Sequence, residues 1–198
     1  MFIIGLTGQT GAGKSTVCDK LKKYGCYHID ADEIAHSVYT KGSSVLTELS
    51  ETFGVGILNS DGSLNRKNLA EVAFSSTENT EKLNSIVHPA VTDKIRKIIE
   101  EQRVLGTKAV IIDAIALFES GENELCDFTA AVISPREIRK GRVKKRDNLT
   151  DSEAELRINA QRDEQFYKDR VDVIVKNYLP NDLDSEVQKI ISWINEKE

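Results

Sequence analysis

An eight-residue segment near the start of the chain has the residue types and the spacing of a phosphate-binding loop. It reads Gly8-Gln9-Thr10-Gly11-Ala12-Gly13-Lys14-Ser15 and matches the pattern G-x-x-x-x-G-K-[ST] in full. In such a loop the glycines bring several backbone N–H groups into one concavity that holds a β/γ-phosphate. Lys14 is expected to reach the phosphate oxygens, and Ser15 to supply a hydroxyl ligand to Mg²⁺. The segment therefore predicts a nucleoside triphosphate site.

The loop lies where an apolar run passes into a helical pattern, which is the setting that this motif requires. Phe2, Ile3, Ile4 and Leu6 precede it, and Val17 and Leu21 follow it. A helix is expected over residues 15–24, and its N-terminus would add partial positive charge at the phosphates.

Strand and helix patterns alternate along the rest of the chain. Continuous apolar runs predict buried strands at residues 109–112 and 130–133, with shorter strands at 27–32 and 171–175. Helical spacing covers residues 33–39, 66–74, 80–87, 89–103, 134–145, 150–167 and 182–196. Pro89 suits the first turn of the helix over residues 89–103, and Thr150-Asp151-Ser152-Glu153 is a capping box. The predicted fold class is α/β, with a parallel sheet between helices in three layers.

Length and composition favour one α/β domain with a small lid. The chain has 198 residues, of which 39% are hydrophobic and 30% charged. No apolar stretch is long enough to span a bilayer, and the apolar start runs into the loop too early for a signal peptide. A cytoplasmic protein without a membrane partner is expected. The net charge of −5 disfavours nucleic acid as a partner.

The three cysteines give no sign of a disulfide framework or a zinc site. Cys18, Cys26 and Cys126 are odd in number, lack C-x-x-C spacing and lie in apolar segments. Buried free thiols are expected.

The phosphate loop alone does not separate kinases from GTPase switches and motor ATPases. A GTPase should show an N-K-x-D segment, whereas Lys176-Asn177 has the reversed order. The short chain and two carboxylates after the second strand favour a small-metabolite kinase. Side chains one residue apart on a strand point to opposite sides, so Asp30 and Asp32 are expected to differ in role. Asp32 is the candidate that accepts or orients an acceptor hydroxyl proton, and the alternative is that it caps the following helix.

A second candidate set is the basic segment over residues 136–146, which carries seven cations and one acid. Arg142 and Arg146 are four residues apart and share one helical face. Guanidinium groups on a mobile lid would neutralise charge on the transferring phosphoryl group, and for these two arginines we favour that role over a solvated face.

Taken together, these motifs resemble the dephospho-CoA kinase family over nearly the whole chain. The matching segments are Ile4-Gly5-Leu6-Thr7-Gly8 with the loop through Thr16, Ile29-Asp30-Ala31-Asp32-Glu33-Ile34-Ala35, Asp61-Gly62-Ser63-Leu64-Asn65-Arg66 with Leu69, Leu83-Asn84 ahead of His88-Pro89, Leu117-Phe118-Glu119, Arg142, Arg146-Asp147, Arg157-Ile158 with Gln161, and Asp172-Val173-Ile174 before Asn177. Two segments depart from the family pattern. Ile115-Ala116-Leu117 stands where Pro-Leu-Leu is common, and Tyr178 follows Asn177 where glycine is usual.

The resemblance implies a reaction in which ATP and dephospho-CoA give ADP and CoA with Mg²⁺, and it assigns residues to that reaction. The catalytic residues would be Asp32, Lys14, Arg142 and Arg146. ATP would be bound by Gly8, Gly11, Ala12, Gly13, Lys14, Ser15, Thr16, Arg142 and Asn177, and Ser15 would hold the metal. The acceptor would be bound by Thr7, Asp32, Arg66, His88, Leu117 and Glu119. Asp113 could hold Mg²⁺ through water, although a structural hydrogen-bonding role is favoured.

The implied organisation is a single P-loop kinase domain over residues 1–198. Its core covers about 1–60, 105–135 and 168–198, with a helical acceptor-binding segment at about 61–104 and a lid at about 136–167. Two alternatives stay open. One is another small-metabolite kinase acting on nucleosides, nucleotides or shikimate-like alcohols, and the other is an ATP-sensing regulatory protein. No obligate protein partner is evident.

Overall fold

The computed structural model describes residues 1–197, so residue 198, the end of the predicted core, lies outside the described residues. The strands are β1 (Phe2–Gly8), β2 (Tyr27–Asp30), β3 (Ala109–Asp113), β4 (Phe128–Ile133) and β5 (Val173–Lys176). The α-helices are α1 (Lys14–Lys23), α2 (Ala31–Ser37), α3 (Ser44–Phe53), α4 (Arg66–Ala73), α5 (Thr77–Val104), α6 (Arg136–Asp147), α7 (Asp151–Asn159), α8 (Glu164–Lys168) and α9 (Leu183–Lys197). Short 3₁₀ helices lie at Val55–Ile57 and Glu122–Leu125.

The strands form one five-stranded sheet in the order β2-β3-β1-β4-β5. Strand β1 is central and pairs in parallel with β3 and β4, and β4 pairs in parallel with β5. The register places Leu6 opposite Asp113 and Gly8 opposite Val132. Strand ends that carry polar residues therefore meet at the edge of the sheet where β1 leads into the phosphate loop. The predicted α/β class is confirmed.

Burial explains why the central strands are apolar throughout. Every residue of β3 and β4 is buried, as expected for parallel strands covered on both faces. One cluster of the core joins α1 and α9 to the sheet, through residues such as Val17, Leu21 and Ile190, each fully buried. The start of α1 is thus fixed against the sheet immediately after the loop.

The chain separates into two compact units. The first contains Met1–Ile29 and the chain from Glu101 onward, and it carries the phosphate loop and most of the sheet. The second unit is Asp30–Glu100, where Leu49, Ile57 and Leu69 are buried. The boundaries predicted for the acceptor-binding segment and the lid remain predictions. No helix in residues 1–197 is both long and apolar enough to cross a bilayer.

The break predicted at Pro89 is wrong, because α5 runs continuously through it. Five buried side chains recur at every fourth position, on both sides of the proline: Leu83, Val87, Val91, Ile95 and Ile99. A proline inside a helix removes one backbone hydrogen bond and crowds the preceding turn. Continuous burial of this apolar stripe offsets that cost.

The helix predicted over residues 150–167 is also interrupted. Its predicted capping box at Thr150 is present, and α7 ends at Asn159. A second helix, α8, then starts with Asp163 as its N-cap, whose carboxylate accepts a hydrogen bond from the Phe166 N–H at 2.8 Å. This cap begins a new helix because its side chain takes the place of an intrahelical partner.

Candidate active site

The loop between β1 and α1 has the backbone geometry of a phosphate cradle. Gly8 has φ of 145° and Gly13 has φ of 96°, in the region that side chains disfavour. A Cβ at Gly8 would overlap the backbone oxygen of Val132 on the neighbouring strand. Gly13 is also the N-cap of α1, so the first backbone N–H groups of that helix face the loop. These are the donors and the helix end that bind phosphate in such loops.

Lys14 forms an ion pair with the carboxylate of Asp113, which is the last residue of β3. Asp113 is only 6% exposed. Its other oxygen, Oδ2, accepts a hydrogen bond from the Cys18 thiol at 3.2 Å and lies 3.2 Å from Nε2 of His28. The favoured structural role of Asp113 therefore agrees with the hydrogen bonds observed. The carboxylate holds the lysine at the start of the helix, next to the phosphate cradle.

Arg142 on α6 contacts the same loop through its backbone carbonyls. Its guanidinium donates to the Gly11 oxygen at 3.2 Å and to the Ala12 oxygen at 3.0 Å. It also donates to the Asn177 oxygen at 3.1 Å, while the Asn177 side chain donates to Ala12 at 2.8 Å. Arg142 and Asn177, both predicted as ATP-binding residues, thus support the loop from two directions.

Two further hydrogen bonds join the loop to the segment after α7. The Gln9 side-chain amide donates to the backbone oxygen of Arg162 at 2.8 Å. The backbone N–H of Thr10 donates to the Gln161 side chain at 3.2 Å. Sequence reasoning assigned no role to Gln9, although it is only 5% exposed and is a variable position of the motif. Its burial, which pattern matching does not reveal, marks it as a loop-supporting residue.

Ion pairs hold α6 against α7. Lys140 and Lys144 donate to Asp151 at 2.6 and 2.8 Å. These hydrogen bonds lower the pKa of Asp151 to about 2. Arg146 binds the adjacent Asp147 through two nitrogens, at 2.7 and 2.8 Å, which lowers the pKa of that carboxyl group. The guanidinium of Arg146 is therefore engaged within α6, and its predicted catalytic role stays a prediction.

The predicted acceptor residues of the first unit lie near the ends of β1 and β3. Thr7 is buried and its hydroxyl donates to the Ile115 oxygen at 3.1 Å. Leu117 is fully buried, and a Cβ at Gly5 would lie 2.8 Å from it. Glu119 is exposed and accepts a hydrogen bond from Arg162 at 3.1 Å. Their contact with an acceptor stays a prediction.

The other predicted acceptor residues belong to the second unit. Arg66 begins α4, and its guanidinium lies 5.9 Å from the centre of the Tyr39 ring. His88 lies inside α5, where burial lowers its pKa and favours the neutral imidazole. Both lie on helices of the second unit, and their contact with an acceptor stays a prediction.

Asp30 and Asp32 differ in role, as predicted, but only Asp30 lies on a strand, as the last residue of β2. Helix α2 already begins at Ala31, so Asp32 lies in its first turn and is exposed. Asp30 is the N-cap, and its carboxylate accepts a hydrogen bond from the Glu33 N–H at 2.9 Å. The alternative in which Asp32 caps the helix is therefore wrong, because Asp30 fills that position. A carboxylate in the first helical turn is favoured by the helix dipole.

One constellation escaped the sequence patterns. Cys18, His28 and Asp113 come from α1, β2 and β3, and their ligand atoms all lie within 4.8 Å of one another. The separations of 85 and 95 residues from Asp113 are too long for any metal-site spacing rule. Only the pairing of the sheet brings these residues together.

Comparison with known proteins agrees with this geometry. The family model described as dephospho-CoA kinase matches residues 2–181. The chain is 41% identical over 177 residues to the dephospho-CoA kinase of Corynebacterium diphtheriae, covering 89% of this chain and 88% of that protein. It is 39% identical over 189 residues to that of Dehalococcoides mccartyi, covering 95% of each chain.

A solved structure gives the same result in three dimensions. The dephospho-CoA kinase from Campylobacter jejuni superposes with a TM-score of 0.67 at 27% identity, covering 98% of each chain. The chain therefore belongs to the dephospho-CoA kinase family.

Proposed function

We propose that this protein transfers the γ-phosphoryl group of ATP to the ribose 3′-hydroxyl of dephospho-CoA, giving CoA and ADP as the last step of CoA biosynthesis. The observation that carries the proposal is the complete phosphate loop, with Lys14 held on Asp113, in a chain of this family. The cytoplasmic location expected from the sequence, and the absence of nucleic-acid, membrane and obligate protein partners, are kept as parts of the proposal.

The loop and the lid residues would bind the phosphates. Backbone N–H groups from the loop and the start of α1 would receive the β- and γ-phosphates, and Lys14, kept in place by Asp113, would use its remaining N–H groups to donate to their oxygens. Arg142, which supports the loop through Gly11 and Ala12, fixes the shape of the cradle before ATP arrives. Such prior ordering reduces the reorganisation that the transition state requires.

Mg²⁺ is the proposed cofactor, and the oxygen donors beside the loop fit it. The hydroxyl of Ser15 is exposed at the start of α1, and phosphate oxygens and water would supply the remaining oxygen ligands. Hard oxygen ligands of this type suit Mg²⁺, which keeps several waters when bound. The ion would neutralise charge on the β- and γ-phosphate oxygens.

Asp32 is the proposed acceptor of the hydroxyl proton. The 3′-oxygen would form a bond to the γ-phosphorus, the bond from that phosphorus to the β,γ-bridging oxygen would break, and the hydroxyl proton would pass to the Asp32 carboxylate. Asp32 is exposed to solvent, and the N-cap of α2 is Asp30, so Asp32 does not cap the helix.

A parallel assay of ADP release tests the proposed substrate. Purified protein with Mg²⁺ and ATP is offered dephospho-CoA, adenosine, AMP or shikimate, and the Lys14→Ala variant is assayed beside it. We expect dephospho-CoA alone to raise ADP release substantially, and the variant to lose at least about a hundredfold in turnover. Preferred use of another acceptor would favour the other small-metabolite kinases. ADP release that no acceptor stimulates would favour the ATP-sensing alternative.

A further inference from the structure

The three side chains Cys18, His28 and Asp113 form a cluster next to the phosphate-loop lysine that has the composition of a transition-metal site. They present one thiol sulfur, one imidazole nitrogen and one carboxylate oxygen, all within 4.8 Å of one another. Cys18 is 1% exposed and Asp113 is 6% exposed, whereas the His28 side chain is 19% exposed. The sulfur and carboxylate ligands are therefore buried, whereas the histidine reaches solvent.

We propose that this cluster binds one Zn²⁺-class cation through Cys18 Sγ, His28 Nε2 and Asp113 Oδ2, and that its occupancy lowers kinase turnover by weakening the hold of Asp113 on Lys14. The inference concerns regulation of the site and rests on the proposed kinase function only for its turnover readout.

The separations between the ligand atoms fit tetrahedral zinc. Zinc bonds of about 2.0–2.3 Å at tetrahedral angles place neighbouring ligand atoms roughly 3.3–3.6 Å apart. The Cys18 sulfur and the His28 nitrogen each lie 3.2 Å from Asp113 Oδ2. The remaining sulfur-to-nitrogen separation is at most 4.8 Å, so side-chain shifts of about 1 Å complete the geometry. Water would take the fourth position on the open side.

The donor types select against the Mg²⁺ that the kinase reaction uses. Thiolate and imidazole are good ligands for zinc, whereas Mg²⁺ requires oxygen donors in a nearly ideal octahedron. The thiol that now donates to Asp113 would lose its proton to solvent when the metal binds, because only the thiolate coordinates. Excess Mg²⁺ is therefore not expected to displace zinc from the cluster.

A metal ion bound at the cluster would act on Lys14 through the carboxylate of Asp113, whose two oxygens face different partners. Oδ1 of Asp113 pairs with Lys14, and Oδ2 faces Cys18 and His28. A cation on Oδ2 would neutralise the carboxylate and add positive charge close to the ammonium group. The ion pair that positions Lys14 would then weaken, and the lysine would be pushed away from the metal.

Binding is tested with Zn²⁺ alone, by calorimetry on the full chain, and with Co²⁺, whose absorption reports a thiolate ligand. We expect one metal ion per chain and a thiolate-to-cobalt band in the wild type. Cys18→Ala should abolish the band, and both Cys18→Ala and His28→Gln should weaken Zn²⁺ binding by at least about tenfold. The matched control is Cys26→Ala, since Cys26 is a buried thiol whose pKa burial raises to about 11, and it is not part of the cluster.

The effect on turnover is measured at a fixed free Zn²⁺ concentration with excess Mg²⁺ and ATP, each protein being compared with its own rate without zinc. Zinc should inhibit the wild type and Cys26→Ala to the same extent, and Cys18→Ala at least about tenfold less sensitively. His28→Gln, at a partly exposed position, gives the same test if Cys18→Ala does not fold. Zinc binding or inhibition that is unchanged in the folded cluster variants overturns the proposal, as does a wild type that zinc does not inhibit. If the wild type shows no kinase activity even without zinc, that result counts against the proposed kinase function and not against the metal site.

Discussion

Replacing Gly13 by alanine tests whether Asn177 and the phosphate loop are mechanically coupled. Gly13 has φ of 96°, and a Cβ there would overlap the side-chain nitrogen of Asn177. That same nitrogen donates to the Ala12 oxygen at 2.8 Å. In Gly13→Ala the amide must therefore move, and its hydrogen bond to the loop is lost.

The expected cost has two parts. Forcing alanine into the left-handed region costs about 1–2 kcal/mol. The lost hydrogen bond from Asn177 adds about 0.5–1.5 kcal/mol. Gly25 supplies a matched control, because its φ is 85° and nothing lies within 4 Å of the Cβ position. Gly25→Ala should show the first part alone, so the two variants should differ by about 1 kcal/mol.

The assay is urea unfolding of four proteins, namely both glycine variants, each alone and combined with Asn177→Ala. In the Asn177→Ala background the amide is already absent, so Gly13→Ala should cost no more than Gly25→Ala. Gly13→Ala should also lower ATP affinity, and Gly25→Ala should not, because only Gly13 lies in the phosphate loop. Equal costs for both glycines in the wild-type background would refute the coupling, as would a difference that persists without Asn177.

Three further predictions concern the helices around the site. Asp32→Asn should leave the thermal midpoint unchanged and reduce turnover about 10²–10⁴-fold, because it removes the proton acceptor. Asp30→Ala should lower the free energy of unfolding by about 1 kcal/mol, because it removes the helix cap. Thermal scans and initial rates, measured on both variants, distinguish the two roles. Arg142→Ala should lower kcat by at least about tenfold, more than it raises KM for ATP, and Arg146→Ala should act in the same direction, as steady-state kinetics can check. The pKa of Asp151 is lowered to about 2 in the folded protein, below its unfolded value of about 3.9. The ionised carboxylate therefore stabilises the fold fully above about pH 3.9, and this contribution is lost as the pH falls toward 2. The difference in Tm between wild type and Asp151→Asn should therefore be present at about pH 6 and shrink steadily below about pH 4.

Features encoded in a few adjacent residues could be predicted from the sequence. The phosphate loop is one, because its glycines, Lys14 and the flanking apolar runs are contiguous. The capping box at Thr150 is another, since both of its hydrogen bonds join residues three apart. In each case the interacting atoms are close in sequence, so residue type and spacing contain the geometry.

Helix boundaries were less predictable where two solutions have similar local energy. Asp30 and Asp32 have the same intrinsic capping tendency, and residue type does not choose between them. Ala31 is 4% exposed, and the helix begins at this residue, two residues earlier than expected. The helix break predicted at Pro89 failed for a related reason. Burial of the apolar side of α5 is a tertiary effect, and it outweighs the local tendency of proline to end a helix.

Contacts between residues far apart in the sequence could not be predicted. Asp113 meets Lys14, Cys18 and His28 only because β3 lies between β1 and β2. The hydrogen bonds of Gln9 to Arg162 and of Asn177 to Ala12 span 153 and 165 residues. No spacing rule reaches across such distances, and only the assembled fold reveals these partners.

The most direct test of the proposed activity compares dephospho-CoA with its 3′-deoxy analogue. Protein, Mg²⁺ and ATP are incubated with each compound, and the products are identified by mass spectrometry while ADP is quantified. We predict that dephospho-CoA gains one phosphoryl group per ADP formed, yielding a product that co-elutes with CoA, and that the analogue gains none. Phosphorylation of the 3′-deoxy analogue, or ADP formation without a phosphorylated product, would contradict transfer to the 3′-hydroxyl.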